Sequence, residues 1–349
     1  MNLIKERRPQ MKNSEKTTYK HYLAIDWSIE EVYTARMLAQ GEKIETKKFD
    51  SDIRQIKKYL MSIKGSKILT IEETTSSHWL YVELLDCVDK ILICDPYRNK
   101  LLSEGAKNDK IDARKLCLLL RSGLLKEVYH SLNEDYKIRK LVSAYEDLVK
   151  AGVRVKNQKS ALYRAEGLRY KKDKINKKDK LILFIEEQQN ASIKLYIEEK
   201  KKYESKFEEI KKGNEIIKLL CGVPGIGTIL SMRIYSKVID ASRFENKYKF
   251  WGMCGLVNHQ RESGGKNYGK KKPRYSRTLK SVFKTAAIAA IGGNNDVREY
   301  YDHLLKVGYT ISEARNQIAR YIAKVCYAVM KNKIAYKAYQ WRELKKTAA

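Results

Sequence analysis

The first hundred residues carry a pattern that few folds satisfy: three strands in hairpin order, then helix, strand, helix and strand. Tyr22–Trp27 is an apolar run ending in Asp26-Trp27-Ser28. Val32–Leu38 and Lys43–Phe49 flank Ala39-Gln40-Gly41-Glu42, a hairpin signal. Asp50-Ser51-Asp52 offers N-caps to a helix with Ile53, Ile56, Tyr59 and Leu60 on one face. Lys67–Glu73 reads as a buried strand, Ser77–Val88 as a helix, and Ile91–Cys94 as a short strand stopped by Asp95-Pro96.

That order predicts an α/β domain of the RNase H-like (RuvC-like) type over residues 19–130, whose mixed sheet places acidic side chains near strand ends. Residues 1–18 are charged and aperiodic, and are expected to be disordered. From 131 to 214 the pattern changes. Ile138, Leu141, Tyr145, Leu148, Gly152, Val155 and Leu162 fall near heptad spacing, and a second charged helical stretch runs from Asp179 to Lys212. Two long antiparallel helices are expected, forming an arm that a partner surface would cover. Residues 215–300 read as a mostly helical C-terminal domain, and 301–349 as a basic helical tail whose tyrosines suit either a core or base stacking.

Composition narrows the partners. Lys and Arg number 72 against 42 Asp and Glu, a formal net charge of +30. Part of this excess reflects a lysine-rich composition, but such a surface favours polyanions, because neutralised phosphates release counterions. None of the six cysteines forms a Cys-x-x-Cys pair, and no His stands at zinc-ligand spacing from one, so they read as buried thiols in a reducing cytoplasm. The N-terminus lacks the apolar segment of a signal peptide, and the longest apolar run is far too short to span a bilayer.

The chemistry-bearing residues fall into two groups. Asp26 ends the first strand, and Glu73 the fourth, with Glu72 as its competitor. Asp109 and Asp112 share one face at the start of a helix, where either could instead cap it. Carboxylates so placed suit two magnesium ions about 4 Å apart, with manganese as a substitute, stabilising both the attacking and the leaving oxygen of a phosphodiester. The second group is a glycine-rich basic segment around Ser263. Gly264 and Gly265 admit close backbone approach, and Lys266, Lys270, Lys271, Lys272, Arg274 and Arg277 supply phosphate contacts. Ser263 reads either as a nucleophile or as a phosphate contact. His259 is a possible base, and Ser276 a rival serine. Upstream, the Pro224-Gly225-Ile226-Gly227 turn could present backbone N–H groups to a phosphate through Gly225 and Gly227.

Several short motifs in order carry a resemblance. Leu23-Ala24-Ile25-Asp26-Trp27-Ser28 resembles G-I-D-x-S, and Glu73-Thr74-Thr75-Ser76-Ser77-His78-Trp79 resembles E-x-T-G-x-Y-W. Lys107 to Arg114 resembles K-T-D-x-x-D-A-R; Val223 to Gly227 resembles P-G-I-G; Gly255 through Gly265 resembles G-L-x-P…S-G-G. These are the motifs of the DEDD transposases of the insertion sequence 110 family. Ala24, Ser76, His78 and Asn258 depart from them, though none is a proposed ligand. The resemblance implies Glu73 rather than Glu72 as the fourth carboxylate, and Ser263 as the catalytic serine. It further implies donor and target DNA, a structured non-coding bridge RNA, and homo-oligomers from dimer to tetramer, with no membrane partner. A Holliday-junction-type nuclease would need only the carboxylates, and an inactive nucleic-acid-binding relative would need neither group.

Overall fold

The computed structural model describes residues 18–99, 108–131, 133–176 and 179–338. The expectation for residues 1–18 falls almost wholly outside this range, as do Lys107 and Tyr339. The chain divides into two compact units, residues 1–133 and 134–349. Among the described residues, no helix is long and apolar enough to cross a membrane.

The first unit follows the expected order. β1 (His21–Trp27), β2 (Glu31–Leu38) and β3 (Glu45–Asp50) form an antiparallel meander. α1 (Ile53–Ser62) leads to β4 (Lys67–Glu72), α2 (Ser77–Leu84) to β5 (Lys90–Cys94), followed by α3 (Pro96–Asn99) and α4 (Asp109–Arg121). The sheet order is β3-β2-β1-β4-β5, with β4 parallel to both β1 and β5. A mixed α/β sheet of this kind fits an RNase H-like fold. α2 is shorter than its pattern predicts: Leu85–Cys87 tightens into a 3-10 turn, and Val88 is already extended as the chain enters β5.

Strand alternation divides the core in two. Leu23, Ile25, Leu69, Ile71, Ile91 and Ile93 face α1 and α2 through Ile56, Leu60, Leu80 and Leu84. Ala24, Ala35, Met37, Ile68 and Cys94 face α4 through Ala113, Leu116, Cys117 and Leu120. Ala24 and Ala35 are directly paired. Their small side chains let α4 lie close over β1, where the Cys117 thiol donates to the Tyr22 carbonyl at 3.3 Å.

The second unit opens with α5 (Asn133–Ala165) and α6 (Lys180–Gly213). Tyr145 packs on Phe207 and donates to Glu204, Gly152 receives the Tyr196 ring, and Tyr163 donates to Glu186 at 2.6 Å. These pairs run in opposite order along the two helices, which sets them antiparallel. α7 (Glu215–Cys221), α8 (Thr228–Val238), α9 (Lys247–Met253), the hairpin β6 (His259–Ser263) and β7 (Lys266–Lys271), α10 (Arg277–Ile291), α11 (Asp296–Lys306) and α12 (Ile311–Asn332) complete it. Phe207, Phe250, Phe283, Ile318 and Ile322 are fully buried in its core, which Val142 and Tyr145 of α5 join. Tyr301 and Tyr327 are core residues too, so the tail region from 301 packs into the unit.

Gly225 holds the turn between α7 and α8 against α10. Its φ is +81°, and a Cβ there would lie 2.2 Å from the Ala286 carbonyl oxygen. Gly225→Ala is expected to lower stability by about 2–5 kcal/mol, combining a left-handed backbone penalty with overpacking. Urea unfolding checks this; a loss below about 1 kcal/mol would show that the turn yields easily.

Candidate active site

Three elements converge on one corner of the first unit. Asp26 lies on β1 with the parity of Tyr22 and Ala24, the face that α4 covers. On α4 the buried stripe Ala113, Leu116, Cys117 and Leu120 continues N-terminally to Asp112 and Asp109, one turn beyond the packed segment. Asn108 caps this helix, its side chain accepting from the Lys110 N–H at 3.0 Å. Neither aspartate is therefore needed as the cap, although both sit favourably at the positive end of the helix.

The glutamate beside Asp26 on β4 is not the one the motif register selects. Ile25 pairs with Ile71, so Glu72 lies beside Asp26 and takes the parity of Ile68, the α4 face. Glu73 is one residue further on, and its N–H continues the ladder to the Cys94 carbonyl at 3.0 Å. Glu73 thereby takes the parity of Leu69 and Ile71, towards the other side of the sheet, and is exposed. The structure brings together Asp26, Glu72, Asp109 and Asp112. The sequence signal for Glu72 was strand parity, which becomes decisive only when α4 is assigned to one face.

Electrostatics tie the group together. The Asp26 carboxyl is pushed up from 3.8 to about 6, first by burial and then by the charges of Asp109, Asp112 and Glu72. The fold thus favours protonated Asp26, and this contribution to stability is lost as pH rises from about 3.8 through 6. In metal-free protein, Asp26→Asn should raise the melting temperature by a few degrees at pH 8 and by less at pH 5. Equal gains at both pH values would show that the carboxylates do not repel.

Hard oxygen donors of this number and charge fit divalent cations. Among the described residues, no three acidic, histidine or cysteine side chains already close on a single ion position. The corner therefore has the donor chemistry for a metal without a preformed cage, and cation binding would draw the carboxylates in.

Ser263 belongs to the second unit. It ends β6, paired with Lys266 across the turn Gly264-Gly265, whose φ values of +57° and +72° match a type I′ hairpin turn. Every residue of β6 and β7 is exposed, so Ser263 stands at the tip of a projecting basic hairpin with Lys266, Lys270 and Lys271 on the return strand. His259 is four residues back along the same strand, about 13 Å from Ser263, too far to remove its proton in this conformation. The Ser276 Oγ is engaged locally, accepting from the Leu279 N–H as the N-cap of α10.

Lys272, Arg274 and Arg277 lie at the foot of the hairpin. One basic residue there escaped sequence reading. Lys280, over the Tyr275 ring at 5.0 Å, has its ammonium pushed down to about 8, first by its contact with Lys272 and then by burial and Lys284. Clustered ammonium groups of this kind suit an anion. In the Gly225 turn, Gly225 packs on α10, and Gly227 adjoins a cavity of about 580 Å³ whose lining includes Glu204 and Glu208.

Comparison with known proteins matches two stretches of the chain. Residues 23–164, which include all four carboxylates, match a family of DEDD transposases described as "Transposase". Residues 217–302, which include Ser263, match the family described as "Transposase IS116/IS110/IS902 family". One relative is the "Insertion element IS110 uncharacterized 43.6 kDa protein" of Streptomyces coelicolor, 23% identical over 149 residues, or 42% of this chain. The match spans only 37% of that relative's length. DEDD transposases typically use divalent metal ions. With the two family matches in sequence order across an α/β domain and a helical one, the chain belongs to the IS110 family of transposases.

Proposed function

We propose that this chain is a DNA transposase that cuts and rejoins DNA strands through a covalent serine intermediate. The observation that carries the reading is the placement of Asp26, Glu72, Asp109 and Asp112 at one corner of an RNase H-like sheet. Magnesium held there would stabilise charge on the attacking and leaving oxygens of the phosphodiester. Glu72 is proposed as the fourth ligand in place of Glu73.

Ser263 supplies the nucleophile. Its Oγ attacks phosphorus as its proton departs; the bond to the 3′ oxygen breaks and that oxygen leaves as a 3′-hydroxyl. The strand is then esterified to the serine through its 5′ phosphate. Attack by another 3′-hydroxyl reverses the step and restores the serine, so the phosphodiester bond is conserved and no ATP is needed. Lys266, Lys270 and Lys271 on the hairpin, with Lys272, Arg274 and Arg277 at its foot, hold flanking phosphates. Ser276, committed to capping α10, is the weaker nucleophile candidate.

The carboxylates and Ser263 belong to different units. The proposed site therefore assembles on the nucleic acid, by closure within one protomer or between protomers of a homo-oligomer of two to four. Donor and target DNA, with a structured non-coding RNA as guide, are the proposed partners; the +30 charge and the family support this. Purification of the protein expressed with its own flanking sequence tests the RNA. A single defined RNA should copurify, and affinity should fall steeply with salt. Heterogeneous RNA alone, with recombination proceeding in the absence of added RNA, would refute the guided mechanism.

A further inference from the structure

The carboxyl ends of the parallel strands β1, β4 and β5 lie at one end of the sheet, and an aromatic residue that the chemistry above does not use stands at or after each. Trp27 ends β1, Trp79 lies in the first turn of α2 after β4, and Tyr97 lies in α3 after β5. Trp79 is 43% exposed and Tyr97 68%, although apolar rings of this size are ordinarily covered. Trp27 is half-buried against the α1–α2 core and supports Trp79 edge to face, with ring centroids 5.3 Å apart at 78°. The Trp79 ring is thus propped by Trp27 and keeps part of its surface exposed.

Its position gives the exposed ring a partner. Trp27 directly follows Asp26, so the platform and the acidic corner are separated only by that end of the sheet, on its two faces. Crevices at the carboxyl ends of parallel strands are where such sheets bind ligands. A backbone phosphate at Asp26 leaves its attached or neighbouring base to cross that end. Bases of any sequence stack on aromatic faces, whereas a protein partner would need a broader apolar patch than one supported ring.

We propose that the Trp27–Trp79 corner is a stacking platform for an unpaired base of the DNA strand whose backbone enters the acidic corner. The placement of that backbone rests on the proposed function; the stacking itself does not require cutting. The test uses the full chain with Asp26→Asn, magnesium, and a short single-stranded DNA of mixed sequence carrying one 2-aminopurine at successive positions. Quenching on binding is expected at one position, retained by Trp79→Phe and lost in Trp79→Leu, with affinity falling about 5- to 150-fold in the latter. Far-UV circular dichroism establishes that each variant folds.

Unchanged quenching and affinity in folded Trp79→Leu would overturn the platform. So would an equal response from the same sequence as a perfect duplex, or Trp79-dependent binding confined to an RNA probe. The cutting assay on protein with an intact Asp26 is separate. Failure to cut, with stacking present, would count against the catalytic reading alone.

Discussion

Glu72→Gln is expected to lower metal-dependent strand cleavage by about 10²- to 10³-fold, whereas Glu73→Gln should retain most of it; the scale is that of losing one group that stabilises charge in the transition state. The asymmetry follows from strand parity. Glu72 lies beside Asp26 on the α4 face, and Glu73 continues the ladder with the opposite parity. Asp26→Asn, Asp109→Ala and Asp112→Ala should match Glu72→Gln in cleavage, and all four should bind nucleic acid nearly as the parent does. Metal affinity measured by calorimetry on uncut protein should fall in the same four variants and not in Glu73→Gln. Full cleavage by Glu72→Gln with loss in Glu73→Gln would restore the register taken from the motif and reject the one taken from the sheet.

Much of the first unit was legible because its signals are local and periodic. The turn at Ala39 to Glu42, the caps at Asp50 to Asp52 and the apolar runs of β1, β4 and β5 each name their element, and the hairpin order then leaves few topologies. What could not be read was which face α4 would cover. β4 is apolar on both sides, so its alternation does not distinguish Glu72 from Glu73 until Ala113, Leu116 and Cys117 are seated on Ala24 and Ala35. The motif register, anchored by Trp79, selects Glu73, whereas the sheet register sets Glu72 beside Asp26.

The serine segment read differently again. Its glycines and lysines marked a loop, and the chain forms a projecting hairpin, because two adjacent glycines at positive φ close a tight turn between β6 and β7. Lys280 was missed because its perturbation comes from Lys272, eight residues away in sequence and across a turn. The Pro-Gly-x-Gly turn read as a phosphate contact, but at Gly225 the glycine serves close packing against Ala286 and Ala290. Glycine required by packing and glycine required by a ligand look alike in a single sequence.

Ser263→Ala should bind DNA and RNA like the parent, yet give no protein–DNA adduct and no recombination, a loss on the scale of about 10⁴- to 10⁶-fold seen when a nucleophile is removed. Mixing Ser263→Ala with Asp26→Asn protein should restore part of the activity, because each supplies the half-site the other lacks. No restoration, with both variants folded and assembled, would place the serine and the carboxylates of each working site in one protomer.

Esterification of Ser263 to DNA is the step on which the proposed chemistry depends, and mass spectrometry of the trapped protein–DNA adduct reads it out directly. After exhaustive nuclease and protease digestion, the peptide spanning β6, Gly264 and Gly265 should carry a nucleotide through a 5′-phosphoserine bond at Ser263, only in the presence of divalent metal. A nucleotide on Ser276 or on a tyrosine, or efficient cleavage by Ser263→Ala that leaves free 5′ phosphates, would contradict it.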